Sequence, residues 1–175
     1  VSGMEGLVGV CGGTGGGFVF DANYLLGQAK QKERDYQIAA SHYEAALANS
    51  SWHDNAHDAR IRLGESLFEV GQSTKDSSLF DRAVSSFEEV RSDSDTSLEQ
   101  RAQSSYMMGE CKRAIRDYAG AAYYYLDTTL NFPSATKWAS KSFEQAIRCY
   151  EQSGQSDQIT KVEKQYVDWQ RKFLK

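Results

Sequence analysis

The sequence predicts an all-α protein made of tandem helix-turn-helix repeats, and three observations carry the prediction. Its 175 residues include a single proline, Pro133, and proline breaks helix interiors by removing a donor and clashing with the preceding turn. From Phe20 onward the apolar residues recur at helical spacing. A two-part pattern then returns several times along the chain, which is how a repeat architecture shows itself.

Residues 1–17 hold eight of the fourteen glycines. Such a segment loses much backbone entropy on ordering and has few side chains to bury in exchange, so residues 1–19 read as a flexible leader. The run from Gly12 to Gly17 invites comparison with a phosphate-binding loop, but no Lys-Ser/Thr follows and no strand precedes it. A linker or tail is the better reading.

The first part of the recurring pattern is a large apolar residue followed by glycine: Leu26-Gly27, Leu63-Gly64 and Met108-Gly109. The second is alanine, an aromatic four residues on, then a small or β-branched residue: Ala39/Tyr43/Ala46, Ala83/Phe87/Val90 and Ala121/Tyr125/Thr128. Ala29, Ser66, Cys111 and Cys149 occupy one small-residue position, so the last two cysteines read as packing groups. A weaker fourth copy has Phe143, Ala146, Ile147 and Tyr150, then Val162, Tyr166 and Trp169, without the Leu-Gly pair. The repeats span about 20–53, 57–97, 102–135 and 140–175, within a domain of residues 20–175. The second carries roughly seven extra residues within 72–81, expected as a longer loop between its helices.

This pattern resembles the tetratricopeptide repeat, a helix-turn-helix unit with Leu-Gly in its first helix and Ala, aromatic, Ala in its second. Asp35-Tyr36 and Asp117-Tyr118 stand at the family's turn between helices, and Pro133 at its terminal proline; Asn23 departs from it, replacing a large aromatic. The resemblance implies a right-handed superhelix whose first helices line a concave surface. In that register the lining is Tyr24, Gln28, Gln31 and Lys32, then Asp58, Ile61, Glu65, Phe68 and Glu69, then Tyr106, Glu110 and Arg113, then Glu144, Arg148 and Glu151. Ten of these are the candidate partner-binding residues: Tyr24, Gln28, Gln31, Ile61, Glu65, Phe68, Tyr106, Glu110, Arg113 and Arg148. The carboxylate clamp of chaperone-binding members is absent, because Tyr24, Gln28, Gln103 and Met107 stand where its basic and amide residues would be. Asn131-Phe132-Pro133-Ser134, with Ala135 and Ala139, is similar to the linker of bacterial envelope members, namely the barrel-assembly lipoprotein and the Tol-Pal coordinator. That similarity implies a periplasmic or envelope location, with the cytoplasm as alternative.

Twenty basic against 24 acidic residues give a net charge of -4 with no basic stripe, so nucleic acid is not an expected partner. No apolar run is long enough for a membrane span. Cys11, Cys111 and Cys149 have no metal-like spacing. His53 and His57, beside Asp54 and Asp58, have a spacing that could set two imidazoles on one helical face, but a structural site needs about four ligands. Asp54 capping the next helix, or a plain surface position for the cluster, is the favoured alternative, and His42 falls on an outward position. No nucleophile-base order or isolated carboxylate pair appears. No cofactor, metal or catalytic residue is therefore expected.

The functional expectation is a non-enzymatic scaffold that binds a protein or peptide on its concave face. The alternative is a structural subunit of a larger complex, held through convex and terminal surfaces. Tyr123 and Tyr124, which cannot both share the core of Tyr125, are its candidate contacts, and the apolar edge Trp169, Phe173 and Leu174 either folds back as a cap or meets another subunit.

Overall fold

The computed structural model describes residues 16–174, and their regular elements are all helices. In chain order these are α1 (Gly16–Lys32), α2 (Tyr36–Asn49), α3 (Ala56–Thr74), α4 (Ser77–Ser92), α5 (Leu98–Ala114), α6 (Tyr118–Asn131), α7 (Thr136–Gln152) and α8 (Ser156–Phe173). Consecutive helices form four helix-turn-helix pairs, so the described residues adopt a tetratricopeptide-like helical repeat fold. Cys11 and the glycine run up to Gly15 lie outside the described residues. Gly16 to Val19, assigned to the leader from sequence, form the first turn of α1, because Val19 and Phe20 are buried and their packing offsets the glycines' entropy.

The two parts of the sequence pattern are two sides of one contact. A Cβ added at Gly27 would sit 2.7 Å from Cε1 of Tyr43, and one at Gly109 would sit 2.6 Å from Cε1 of Tyr125. Glycine in the first helix thus lets the second helix lay a tyrosine ring against bare backbone. Alanines 39 and 46 flank Tyr43, and Ala121 and Thr128 flank Tyr125, all without solvent exposure.

Three of the four turns inside the pairs share one construction. Asp35 N donates to Lys30 O at 2.9 Å, Asp117 N to Lys112 O at 3.0 Å, and Gln155 N to Tyr150 O at 2.9 Å. These are the backbone bonds of a Schellman end, which needs a left-handed residue just past the helix. Arg34 (φ 62°), Arg116 (φ 62°) and Gly154 (φ 70°) fill that place. Asp35 and Asp117 then cap α2 and α6, their carboxylates accepting from Ile38 N and Gly120 N, which satisfies otherwise orphaned donors.

The second pair departs from the expected loop. α3 continues to Thr74, ten residues past Gly64, whereas α1 and α5 stop at Lys32 and Ala114, five past their glycines. Only Lys75 and Asp76 separate α3 from α4. The extra residues therefore lengthen the helices. Gly71 is the reason the longer α3 packs: a Cβ there would lie 3.2 Å from the Phe80 ring of α4.

The chain divides into two compact units, with the boundary between Ser86 and Phe87 inside α4. In the first unit α1 packs on α2 and α2 on α3, around Phe20, Leu26, Tyr43, Ala59 and Leu63. In the second, α5 packs on α6 and α7, and α7 on α6 and α8, around Tyr125, Phe143, Cys149, Val162 and Trp169. The linker motif is part of this second core. Phe132 is buried under the Arg101 guanidinium, 5.3 Å from its ring centre, and the Trp169 indole donates to Pro133 O at 2.8 Å. Trp169 so folds back as a cap, with Phe173 stacked on it at 5.9 Å, while Leu174 stays exposed.

Replacing Gly109 with alanine is expected to cost about 1–3 kcal/mol, the usual range for overpacking, because the Tyr125 ring cannot retreat from a filled core. Gly17→Ala, whose Cβ would meet nothing closer than 4.0 Å, is expected to be neutral or slightly stabilising. Urea unfolding of both variants checks the contrast.

Candidate functional site

Each unit presents a polar seam along its first helices. In the first unit, Tyr24 Oη and Arg62 Nε both donate to Asp58 Oδ2 at 2.5 Å. Arg62 Nη1 also donates to Gln31 Oε1 at 3.3 Å, and Tyr43 Oη donates to the same oxygen at 2.9 Å. Gln31 Nε2 reaches Glu65 at 3.4 Å. Tyr43 thus packs its ring in the core and uses its hydroxyl to fix a surface amide. Desolvation would push the Arg62 guanidinium down, but the hydrogen bond and charge of Asp58 outweigh it and hold the group protonated. Burial raises the Tyr24 hydroxyl, and its bond to Asp58 raises it further.

The second unit repeats the plan with different charges. Tyr125 Oη donates to Glu110 Oε1 at 2.6 Å, and Arg113 Nη2 to Glu110 Oε2 at 2.5 Å. The bond to Glu110 raises the Arg113 guanidinium. Tyr106 lies over this pair, its ring 5.5 Å from Tyr125 and 5.4 Å from Trp138. Arg113 also edges a cleft of about 660 Å³, together with Arg116, Tyr118, Gln145 and Arg148. The corresponding opening in the first unit, edged by Gln28, Gln31, Lys32 and Arg62, is about 350 Å³.

The sequence-derived candidates therefore fall into three sets. Tyr24, Gln28, Gln31 and Glu65 gather on the first seam, and Tyr106, Glu110, Arg113 and Arg148 on the second. Ile61 and Phe68 are 4% and 7% exposed and belong to the first unit's core, Phe68 edge-on to Phe80 at 5.7 Å; neither offers a face to a partner. Arg62, Arg116 and Gln145, which lie outside the sequence-derived set, join the site. Arg62 stands four residues after Asp58, a helical ion-pair spacing that would have found it; Arg116 carries no such signal.

His53 and His42 do structural work. His53 precedes α3, so it shares no helical face with His57; it stacks on Phe20 at 4.1 Å and lies 3.4 Å from Asp21. Asn55, rather than Asp54, occupies the α3 cap position. His42, expected to face outward, bonds to Asn23 at 3.2 Å, which gives the residue replacing an aromatic its partner. Among the described residues no three His, Cys, Asp or Glu side chains converge as metal ligands, and no helix is long and apolar enough to cross a membrane. A separate network joins Arg91 to Glu88 and Asp127, with Ser105 donating to Asp127 at 3.0 Å. On α6, Tyr123 and Leu130 are 62% and 74% exposed, while Tyr124 is half-buried.

No protein-family model matches the chain, and no curated protein matches it. Among solved structures it is similar to a Rap protein, in a crystal structure of that protein complexed with Competence and Sporulation Factor. The TM-score is 0.40 and the identity 14%, over 96% of this chain and 57% of that one. This chain thus spans a little over half the length of that structure. The fold assignment rests on the helix pairs themselves.

Burial pushes the Tyr43 hydroxyl up to about 12 and the Cys149 thiol up to about 11. It also raises Tyr106 and Tyr125, with the Glu110 charge adding to it. In the unfolded chain tyrosine ionises near 10 and cysteine near 8.5, both rough values. Above those pH values the unfolded chain sheds protons that the folded chain keeps, so stability falls as pH rises. The urea midpoint is expected to drop between about pH 9 and pH 11. Absorbance at about 295 nm, where tyrosinate absorbs, should show some tyrosines un-ionised in the folded protein at the pH that ionises all of them in urea.

Proposed function

We propose that this chain is a non-enzymatic protein-interaction scaffold that holds a peptide or partner protein on its first-helix seams. The observation that carries the proposal is the repeated use of a core tyrosine hydroxyl to fix a surface side chain, Tyr43 on Gln31 and Tyr125 on Glu110. Surface groups held from below lose little conformational freedom when a ligand arrives, which favours recognition. Partly exposed aromatics beside them, Tyr24 and Tyr106, supply rigid contact area of the kind found at binding hot spots.

The Phe132-Pro133-Ser134 linker is accounted for by packing under Arg101 and Trp169. The envelope role implied by that motif therefore stays a refinement resting on resemblance alone. Membership of a larger complex is the competing reading, favoured by the exposed Tyr123 and Leu130 on one side of α6.

A photo-crosslinking amino acid introduced in turn at Gln28, Glu65, Arg148, Tyr123 and Leu130, in the native source, separates the two. The scaffold reading expects adducts to one protein from positions 28, 65 and 148. Adducts confined to 123 and 130 would replace it with the subunit reading.

A further inference from the structure

We infer that the cleft beside Arg113 is a carboxylate-binding subsite for an acidic peptide segment, with Arg116 and Arg148 as the donors. The inference rests on the scaffold reading and gives it a ligand chemistry. Three guanidinium groups edge the cleft against one carboxylate, Glu151. Glu110 already engages Arg113. The side chains of Arg116 and Arg148 make no hydrogen bond or ion pair among the described residues. Two uncommitted forks thus face one opening in a chain whose net charge is -4, and a guanidinium matches a carboxylate with two parallel bonds. The Gln145 amide and Tyr118 hydroxyl on the same edge add neutral donors.

The first unit is an internal control. Aligning Ser66 with Cys149 places Asp58 opposite Lys141, Arg62 opposite Gln145 and Glu65 opposite Arg148. Where the first seam carries a carboxylate, Asp58, that takes up its own arginine, the second carries Lys141, which lies over the Trp138 ring, and Arg148, which has no carboxylate opposite it. Its opening is also the larger, about 660 Å³ against about 350 Å³, within the range that holds a short segment rather than a lone ion.

The test titrates the ¹⁵N-labelled chain with N-acetyl tetraglutamate carrying a free or an amidated C-terminus, with tetralysine, and with inorganic phosphate. The Nε–Hε signals of Arg116 and Arg148 should move with tetraglutamate and stay still with tetralysine. Arg116→Gln combined with Arg148→Gln should weaken tetraglutamate binding by about tenfold or more at unchanged helicity, and the signal of Arg34 should not respond. Equal binding of both tetraglutamates identifies side-chain carboxylates as the ligand group; loss on amidation identifies the terminal one. Unmoved arginine signals, a double variant that binds as well as the parent, or phosphate binding as tightly as the peptide would overturn the subsite. Crosslinking from position 28 in the double variant tells the two failures apart, because persistent adducts leave the scaffold standing without this subsite.

Discussion

The contact between a glycine and a tyrosine ring is what the rest of the structure depends on. It brings the first helix of a pair close enough for the second to place an aromatic on its backbone, and it does so at Gly27–Tyr43 and again at Gly109–Tyr125. The ring supplies apolar burial. The hydroxyl emerges on the far side and bonds to a polar residue of the first helix. One side chain thereby links core packing to surface geometry, and a change at the glycine is felt at the seam.

The same scaffold serves two electrostatic purposes. In the first unit Asp58, Arg62, Gln31 and Tyr24 satisfy one another, and partly desolvated groups paired in this way contribute rigidity more than net stability. In the second, one arginine is held by Glu110 and others are left to solvent. The difference lies in a few charge reversals on an unchanged backbone plan, which separates what the fold requires from what a ligand would require.

Much of the fold was legible because repetition amplifies weak signals. Leu-Gly, Ala-aromatic-small and Asp-Tyr each say little alone, but their fixed spacing locates Tyr43, Tyr125 and both Asp caps. The extra residues of the second pair were misplaced because composition does not distinguish a polar loop from an extended exposed helix end; Gln72, Ser73 and Thr74 suit either. A repeat register puts Ile61 and Phe68 on the surface because it tells which direction a side chain points and not what stands in front of it; Phe80 covers Phe68. The seam networks were beyond reach, since pairs such as Tyr24–Asp58 depend on which helices become neighbours.

The left-handed turn at Arg116 has a consequence for how this protein would evolve. Where the equivalent turn in the last pair uses Gly154, this one keeps a side chain in a backbone region that disfavours it, at a cost of about 1 kcal/mol. Selection for thermostability alone would drift position 116 toward glycine and erase a charge at the mouth of the cleft. An arginine retained there among homologues would mark lineages in which binding outweighs robustness, and glycine those in which the cleft has fallen out of use.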